Sequence, residues 1–251
     1  MAQRSSIEWT DLTWNPVVGC SIESAGCTNC YAMRMAARLE AMGTSKYAGL
    51  TKRTKRGAVW TDLVRCDEAS LKIPLTWKKA RRVFVNSMSD LFHPDVPEEF
   101  VARIWDVMRC TPQHQYQILT KRPERMADLL ARISPIPLAN VWLGTSVEGP
   151  LVVERIDHLR HVPAAIRFIS FEPLIGAIPG LHLFGIDWAI VGGESGPRAR
   201  PMLEEWVDPI FDACSTSGTE FFFKQWGGVN KKKTGRIYRQ TTHDAMPVHT
   251  S

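Results

Sequence analysis

Three cysteines near the start of the chain have the spacing of a set of metal ligands. They follow the pattern C-x6-C-x2-C and are Cys20, Cys27 and Cys30. Thiolates this close in sequence can converge on one metal centre, because the short connections hold the sulfurs on one side of the backbone. Gly19 and Gly26 each precede a cysteine, and a residue without Cβ lets the backbone turn tightly. We therefore predict a metal-binding loop at residues 19–31, called the cysteine loop below.

The number of thiolates helps to distinguish the kinds of metal centre. A structural zinc ion usually takes four protein ligands, so three thiolates are one short. A cubane iron–sulfur cluster has four irons, and three cysteines leave one of these irons open to another ligand. The loop therefore favours a [4Fe-4S] cluster with one open iron. Two interpretations stay open: a zinc site completed by a distant His or Cys, and three cysteines with unrelated roles.

Composition and charge exclude some classes of protein. Of the 251 residues, 44% are hydrophobic and 23% are charged, which is ordinary for a globular chain that buries a core without disulfides. No apolar run approaches the ~18 residues that a membrane span requires. The first residues also lack the apolar stretch of a secretory signal, so we expect a cytoplasmic protein that does not associate with membranes. The oligomeric state does not follow from the sequence.

The basic residues are concentrated in three runs, at 52–56, 78–82 and 231–233. The formal net charge is +5, and three of the nine tryptophans, Trp60, Trp77 and Trp226, lie near these runs. Cations beside aromatic rings suit contact with phosphates together with stacking of bases. The runs therefore suggest a nucleic acid or nucleotide partner, although solvated loops and core tryptophans account for the same pattern equally well.

Short apolar runs that alternate with helical patterns position the rest of the chain. Six such runs lie at 82–86, 115–119, 141–144, 166–170, 187–191 and 220–223, and a weaker alternating stretch lies at 7–14. Continuous apolar strands are typical of parallel sheets that are buried on both faces. Strands that alternate with helices form right-handed βαβ units. The sequence predicts an α/β fold, a partial parallel (β/α) barrel of six or seven strands.

The predicted organisation is one barrel domain at 1–228, followed by a basic C-terminal tail at 229–251. The cysteine loop follows the first strand, and residues 43–58 are predicted to be a mobile basic loop because they lack any apolar period. Polar residues follow nearly every predicted strand, and in a parallel barrel these ends line one mouth, where active sites lie. The polar residues at these ends are Asn86, Ser89, Asp90, Lys121, Arg122, Thr145, Ser146, Glu148, Ser170, Glu172, Glu194, Lys224 and Gln225.

Seven motifs between residues 7 and 228 indicate a family. They are WNPVVGC, CTNCYA, VNSMSDLFH, LTKRP, LGTSVE, SFEPL and VGGESG. Through them the chain resembles a phage and bacterial protein family of uncharacterised function. The cubane-type loop after the first strand of a partial barrel also resembles the radical S-adenosylmethionine (SAM) superfamily. The usual spacing there is C-x3-C-x2-C, and Gly-Gly-Glu normally ends the second strand. Here Gly192-Gly193-Glu194 ends a late strand, so that motif's role is not carried over.

The resemblance implies an enzyme with two cofactors and an external electron donor. The three cysteines of the loop would hold a [4Fe-4S] cluster whose open iron binds SAM, and reductive cleavage of SAM would give a 5′-deoxyadenosyl radical. Residues expected to bind the cofactor are Tyr31, Asn86, Ser89, Asp90, Thr145, Ser146 and Glu148. Residues expected to contact the substrate or act in catalysis are Lys121, Glu172 and Glu194. With the basic runs, this suggests modification or repair of a nucleic acid or nucleotide.

Two other functions stay open at this point. The chain could be a non-catalytic nucleic-acid-binding protein with a structural zinc or iron–sulfur site, and His93 could then serve as the fourth ligand. It could also be a metal-independent barrel hydrolase that uses Glu172 and Glu194 as a carboxylate pair. The hydrolase leaves the cysteine loop without a role.

Overall fold

The computed structural model describes residues 3–5 and 7–248, and one eight-stranded sheet dominates the structure. The strands, in chain order, are β1 (Gln3–Arg4), β2 (Leu12–Trp14), β3 (Val17–Val18), β4 (Thr51–Thr54), β5 (Gly57–Trp60), β6 (Arg65–Cys66), β7 (Arg82–Val85), β8 (Gln115–Thr120), β9 (Val141–Ser146), β10 (Ile166–Phe171), β11 (Trp188–Gly192), β12 (Glu220–Gln225), β13 (Ile237–Tyr238) and β14 (Thr241–Thr242). The helices are α1 (Tyr31–Ala41), α2 (Glu68–Leu71), α3 (Glu98–Arg109), α4 (Pro123–Ile133), α5 (Arg155–Arg160), α6 (Glu204–Ser217) and α7 (Lys231–Thr234).

The large sheet has the strand order β1-β2-β7-β8-β9-β10-β11-β12. From β2 to β12 every neighbouring pair is parallel, and only β1 is antiparallel to its neighbour β2. Three small antiparallel pairs, β3–β6, β4–β5 and β13–β14, lie outside this sheet. The predicted α/β fold with a partial parallel barrel is therefore confirmed, with seven parallel strands.

Aromatic contacts across the sheet show that it is curled. The ring centroid of Trp9 lies 4.8 Å from that of Phe84 on β7 and 6.0 Å from that of Trp188 on β11. Three strands separate β7 from β11 in the sheet, so these contacts require a half-barrel that closes around Trp9. We call the buried cluster inside this curve the aromatic plug; its members are Trp9, Phe84, Trp142, Phe168, Trp188, Ile190 and Phe222.

Side-chain alternation explains why these strands are apolar on both faces. Successive side chains of a strand point to opposite faces, so the residues between the plug positions point outward. On β7, for example, Phe84 joins the plug while Val83 and Val85 join the main core against the helices. Helix α3 packs onto that outer face with apolar residues three and four positions apart, including Phe100, Ile104 and Met108.

Two stretches near the N-terminus differ from the sequence-based prediction. The strand predicted at 7–14 is formed only at Leu12–Trp14, because residues 7–10 form a turn that directs Trp9 into the barrel. The mobile loop predicted at 43–58 is instead a 3-10 turn at Ser45–Tyr47 and the hairpin β4–β5. It is ordered because its apolar residues fill a second cluster with α1; the cluster comprises Val18, Ala32, Met33, Ala36, Tyr47, Leu50, Trp60 and Met88.

The segment that follows β12 packs against the barrel. Tyr238 is 1% exposed, and its ring stacks on Phe223 of β12 with centroids 5.5 Å apart. The backbone nitrogen of Phe223 donates to the carbonyl oxygen of His243 at 2.9 Å, and Nε1 of Trp188 donates to the carbonyl oxygen of Ala245 at 2.9 Å. This segment therefore covers the β12 side of the sheet. Among the residues that the structure describes, no helix combines the length and apolarity needed to span a bilayer.

Candidate functional site

A cavity of about 570 Å³ lies at the carboxyl ends of the parallel strands. Its floor includes Trp9 and Phe84 of the aromatic plug, and its walls come from the cysteine loop, α1 and the strand ends. This volume is within the range of about 300–1,000 Å³ that is usual for small-molecule sites. The strand ends that the sequence predicted to line the mouth of the barrel therefore enclose a concave site.

The three thiols of the cysteine loop, from Cys20, Cys27 and Cys30, all line this cavity. The loop depends on its glycines for this placement. Gly19 has a φ of +87°, and a Cβ there would lie 2.1 Å from the carbonyl oxygen of Leu63. A Cβ on Gly26 would lie 2.9 Å from Cδ of Glu148. Only residues without a side chain allow the loop to pack this closely against its neighbours.

The three thiols are the kind of donor set that a cubane cluster takes. Within the described residues, no group of three or more His, Cys, Asp or Glu side chains is close enough to hold one metal ion. The thiolates of a cubane bind different irons, so they lie further apart than ligands of one zinc ion. Burial raises the pKa of Cys20 to about 12, and the charges of Asp90, Cys27 and Cys30 add to that rise. The three thiols thus share one electrostatic environment that a cationic metal centre would relieve.

His93 is not arranged to complete a zinc site. Its Nε2 lies 2.8 Å from Oγ of Ser21, and its Nδ1 accepts a hydrogen bond of 3.2 Å from the backbone nitrogen of Asp95. Burial and the nearby Arg122 lower the pKa of His93. Both ring nitrogens are therefore engaged in positioning the neighbouring loops.

Glu148 anchors the cysteine loop to the barrel. Its Oε1 accepts hydrogen bonds from the hydroxyl of Ser24 and, at 3.0 Å, from the backbone nitrogen of Gly26. Its Oε2 lies 3.3 Å from Nζ of Lys121 and 3.1 Å from Nη1 of Arg155. Burial alone would raise the pKa of Glu148, but Lys121 and the bond from Ser24 outweigh burial and lower it. The carboxylate is therefore ionised and acts as a tether between loop and barrel.

Glu194 holds the other end of the loop. Its Oε2 accepts hydrogen bonds from Nδ2 of Asn29 at 3.0 Å and from Nε of Arg200 at 3.0 Å, and Nη2 of Arg200 lies 2.6 Å from its Oε1. Burial would raise the pKa of Glu194, but the bonds from Arg200 and Asn29 lower it. Through its bond from Asn29, the ionised carboxylate fixes the stretch of chain between Cys27 and Cys30.

Asp90 and Ser89 hold together the chain segments that border the cavity. Asp90 accepts hydrogen bonds from Oγ1 of Thr120 at 2.7 Å, Nη1 of Arg122 at 2.8 Å and the backbone nitrogens of Phe92 and Lys121. Oγ of Ser89 donates to the carbonyl oxygen of Val17 at 2.8 Å. These side chains line the cavity, and their hydrogen bonds join the segment after β7 to the end of β8 and to β3.

The structure brings most of the predicted site residues together. Those that line the cavity are Cys20, Cys27, Cys30, Tyr31, Asn86, Ser89, Asp90, Lys121, Ser146, Glu172 and Glu194. Thr145 and Glu148 are not among its lining residues. Thr145 alternates with Ser146 along β9 and points to the other face, where its Oγ1 donates to the carbonyl oxygen of Thr120 at 3.0 Å. Glu148 lies beneath the cysteine loop, as described above.

The sequence indicated Lys224 as a polar residue at a strand end, but it did not indicate its partner. Nζ of Lys224 lies 2.7 Å from both carboxylate oxygens of Glu172, an ion pair that faces the cavity. Asn29 and Arg200, the partners of Glu194, were not singled out from the sequence. Strand alternation was a usable signal for Lys224, because it lies two residues after the plug residue Phe222. Asn29 and Arg200 pair with Glu194 between separate loops, and the sequence contains no signal for these contacts.

Three buried polar atoms of cavity-lining residues have no hydrogen-bond partner among the described residues. They are Nε1 of Trp9, Nδ2 of Asn86 and Oε1 of Gln225. Asn86 has a φ of +59°, and its Oδ1 accepts a hydrogen bond of 3.2 Å from the backbone nitrogen of Val17, which fixes the amide. Buried polar groups are normally satisfied, so two donors and an acceptor in this cavity suit a polar ligand.

The family of the chain follows from its match over almost the whole length. A family model described as "Protein of unknown function (DUF5131)" matches residues 4–247. The chain belongs to the DUF5131 family. The motifs therefore predicted a family of uncharacterised function correctly, and a relation to phages stays a prediction. No curated protein matches this DUF5131 chain in sequence.

A solved structure similar to this DUF5131 chain is that of a spore photoproduct lyase complexed with dinucleoside spore photoproduct. The two chains are 11% identical in sequence, with a TM-score of 0.47. The match covers 86% of the DUF5131 chain and 64% of the other chain. The DUF5131 chain thus spans less than two thirds of the length of the structure that it matches.

Proposed function

We propose that this protein is a radical SAM enzyme that acts on a nucleic acid or nucleotide. Cys20, Cys27 and Cys30 would hold the [4Fe-4S] cluster, and SAM would lie in the cavity. The observation that carries the proposal is that all three thiols line the same concave site as the inward-facing polar residues of the strand ends. When bound, the cluster and SAM would supply radical chemistry for removing hydrogen from the substrate.

The chain's own contribution is to orient its ligands and to exclude water. Nδ2 of Asn86 can donate to a carboxylate or ether oxygen, and Oε1 of Gln225 can accept from an amine or hydroxyl. Trp9 and Phe84 close the cavity floor with apolar surface. Tyr31 adds an aromatic wall beside Cys30, and its hydroxyl donates to the carbonyl oxygen of Ser87 at 2.5 Å.

The three predicted catalytic residues take different roles in this proposal. Glu172, paired with Lys224, is the carboxylate that we propose to contact substrate, because this ion pair faces the cavity. Lys121 faces the cavity as well, and its ammonium group also anchors Glu148. Glu194 is a positioning residue that acts through Asn29. The separate cations held by Glu172 and Glu194 do not favour their use as a hydrolytic pair.

The test combines metal analysis with electron paramagnetic resonance (EPR) of anaerobically reconstituted protein. We expect about four irons and four sulfides per chain, and a dithionite-reduced signal that changes when SAM is added. Cys27→Ala should lose the iron and sulfide, with an unchanged circular dichroism spectrum. Cys110→Ala is the matched control, because this exposed thiol lies outside the loop and its loss should leave the cluster intact.

Three results would contradict the proposal. Bound zinc without labile sulfide would favour a structural metal site. A cluster signal that does not respond to SAM would favour a structural or electron-transfer centre. Full iron content in Cys27→Ala would show that the loop is not the cluster site.

A further inference from the structure

Two basic elements flank the mouth of the cavity. From them we propose that the mouth binds a single-stranded nucleic acid, with the backbone on the basic elements and one base in the cavity. The inference rests on the proposed function for the chemistry done to that base, but the binding surface can be tested separately.

The hairpin β4–β5 forms the first basic element. It carries Lys52, Arg53, Lys55 and Arg56, and all four side chains are exposed. In the part of the chain that the structure describes, none of these four side chains is in an ion pair. Four cations free of acidic partners within residues 52–56 make a surface that suits consecutive phosphates.

Contacts with the site fix the hairpin at the mouth. Trp60, the last residue of β5, lines the cavity and packs in the second apolar cluster with α1. The side chain of Arg198 donates to the carbonyl oxygen of Arg56, and the carbonyl oxygen of Arg198 accepts from Nδ2 of Asn29 at 3.2 Å. The hairpin therefore contacts the segment that also holds the cysteine loop.

Helix α7 forms the second basic element. Lys231 lines the cavity and pairs with Glu8, with Nζ and Oε1 3.2 Å apart. Lys232 and Lys233 are exposed, and within the described residues neither is in an ion pair. Because Trp60 and Lys231 line the same cavity, a strand crossing the mouth can reach both basic elements.

The remaining basic run, at 78–82, lies away from the mouth. It can therefore serve as a control that separates the effect of local charge from that of overall charge. Lys78, Lys79 and Arg81 are exposed and directly precede β7, so they lie at the amino end of that strand. The cavity is at the opposite, carboxyl ends, and these three residues are not among those that line it. This run has similar charge and exposure to the hairpin but a different position.

The cavity wall favours a base over a chain of phosphates. Tyr31, which is 48% exposed, and Met35, which is 40% exposed, present apolar surface beside the buried Trp60. Aromatic side chains stack on bases whatever their sequence. A base paired in a duplex cannot enter such a site without being extruded from the stack at a cost of a few kcal/mol. A single strand avoids that cost, and we therefore assign the surface to unpaired nucleic acid.

The first test measures binding to the reconstituted protein by fluorescence anisotropy. The probes are single-stranded DNA and single-stranded RNA of about 12 nucleotides, and the matching DNA duplex. Affinity should fall as salt rises, with a slope of log K against log salt of about −0.7 for each phosphate contacted. Both single strands should bind more tightly than the duplex. A preference between DNA and RNA would identify the natural source of the strand.

The matched variants separate the hairpin from general charge. K52A/R53A/K55A/R56A should lower affinity at least about tenfold at low salt and remove up to about 2.8 units of slope, which is four contacts at 0.7 each. K78A/K79A/R81A removes exposed charge at the other end and should bind like wild type. Equal losses in both variants would overturn the proposed surface, as would wild-type affinity in the hairpin variant or tighter binding of the duplex.

Base entry is tested with a single-stranded probe that carries 2-aminopurine. Its fluorescence should be quenched by the wild-type protein, and Tyr31→Ala should lose most of that quenching while it keeps the salt slope. EPR measured on the same samples distinguishes this inference from the proposed function. A SAM-responsive cluster without affinity for either single strand overturns only the nucleic-acid surface. Hairpin-dependent binding by a protein without that response overturns only the radical chemistry.

Discussion

The carboxylate of Glu148 joins the cysteine loop to two cations of the barrel. It is 2% exposed, and Arg155, one of those cations, is 6% exposed. When one partner of a buried ion pair is removed, the other is left as an uncompensated charge, at a cost of about 3–5 kcal/mol. A residue of this kind determines whether the thiols are held in place, although it does not itself line the cavity.

We expect Glu148→Gln to lower the free energy of unfolding by about 3–5 kcal/mol and to reduce iron uptake. The amide can still accept from Gly26, but it cannot neutralise Lys121 and Arg155. Urea unfolding followed by circular dichroism measures the first effect, and iron analysis measures the second. Glu220→Gln replaces an exposed carboxylate at the far end of β12 and should change stability by less than about 0.5 kcal/mol. Wild-type stability in Glu148→Gln would refute the tether.

The sequence indicated which polar residues end the strands but not what each one does. Strand alternation alone would have separated Ser146 from Thr145, since neighbouring residues face opposite sides of a sheet. The partners of Glu148 and Glu194 could not be predicted in the same way. Gly26 is more than a hundred residues from Glu148 along the chain, and nothing local in either segment records that they meet.

Among the elements, the cysteine loop is packed tightly against the segment that follows the hairpin. Gly19 and Gly43 both have positive φ, +87° and +79°. A Cβ on Gly43 would have no heavy atom within 4 Å, whereas a Cβ on Gly19 would lie 2.1 Å from the carbonyl oxygen of Leu63. Alanine substitutions at these two glycines therefore separate the free-energy cost of backbone strain from the cost of moving the loop.

We expect Gly43→Ala to lower the free energy of unfolding by about 1–2 kcal/mol, the usual cost of a left-handed conformation with a Cβ. Gly19→Ala should cost clearly more, because the backbone around Leu63 must move as well. Only Gly19→Ala should reduce iron incorporation. Thermal unfolding and iron analysis of the two variants check this, and equal losses would show that the loop is not closely packed there.

The elements of the barrel were easier to predict than those of the hairpin. The parallel strands are continuous apolar runs with β-branched and aromatic residues, such as Val83 to Val85, and their burial on two faces is a local property. The hairpin and the turn before it are exposed except for a few scattered apolar residues. Tyr47, Leu50 and Trp60 are unevenly spaced, so their common burial against α1 depends on tertiary contacts that no periodicity reveals.

At the scale of the whole molecule, the buried carboxylates make the free energy of unfolding depend on pH in the acidic range. The pKa values of Glu148 and Glu194 are lower in the folded protein than the usual value of about 4.3. A lowered folded-state pKa contributes stability above the unfolded value, and that contribution is lost as the pH falls through the folded value. These two carboxylates should therefore add no pH dependence near neutrality, and their contribution to stability should be lost steadily below about pH 5.

Glu194→Gln should show a shallower loss of unfolding free energy between about pH 5 and pH 3 than wild type. Glu205→Gln is the control, because this exposed carboxylate lies on α6 and should leave the slope unchanged. Urea unfolding at several pH values gives both slopes. An identical slope in Glu194→Gln would mean that the Arg200 pair does not contribute to acid sensitivity.

The aromatic plug has a consequence for the order in which ligands bind and leave. It fills the barrel below the cavity, so molecules enter and leave from the carboxyl side, past α1 and the hairpin. A polymer lying across that entrance traps whatever is beneath it. Under the proposed function, the small ligand would therefore have to bind before the strand and leave after it, so that turnover would follow a compulsory order. Kinetically, an excess of polymer would then slow the reaction by sealing the site before the small ligand has bound.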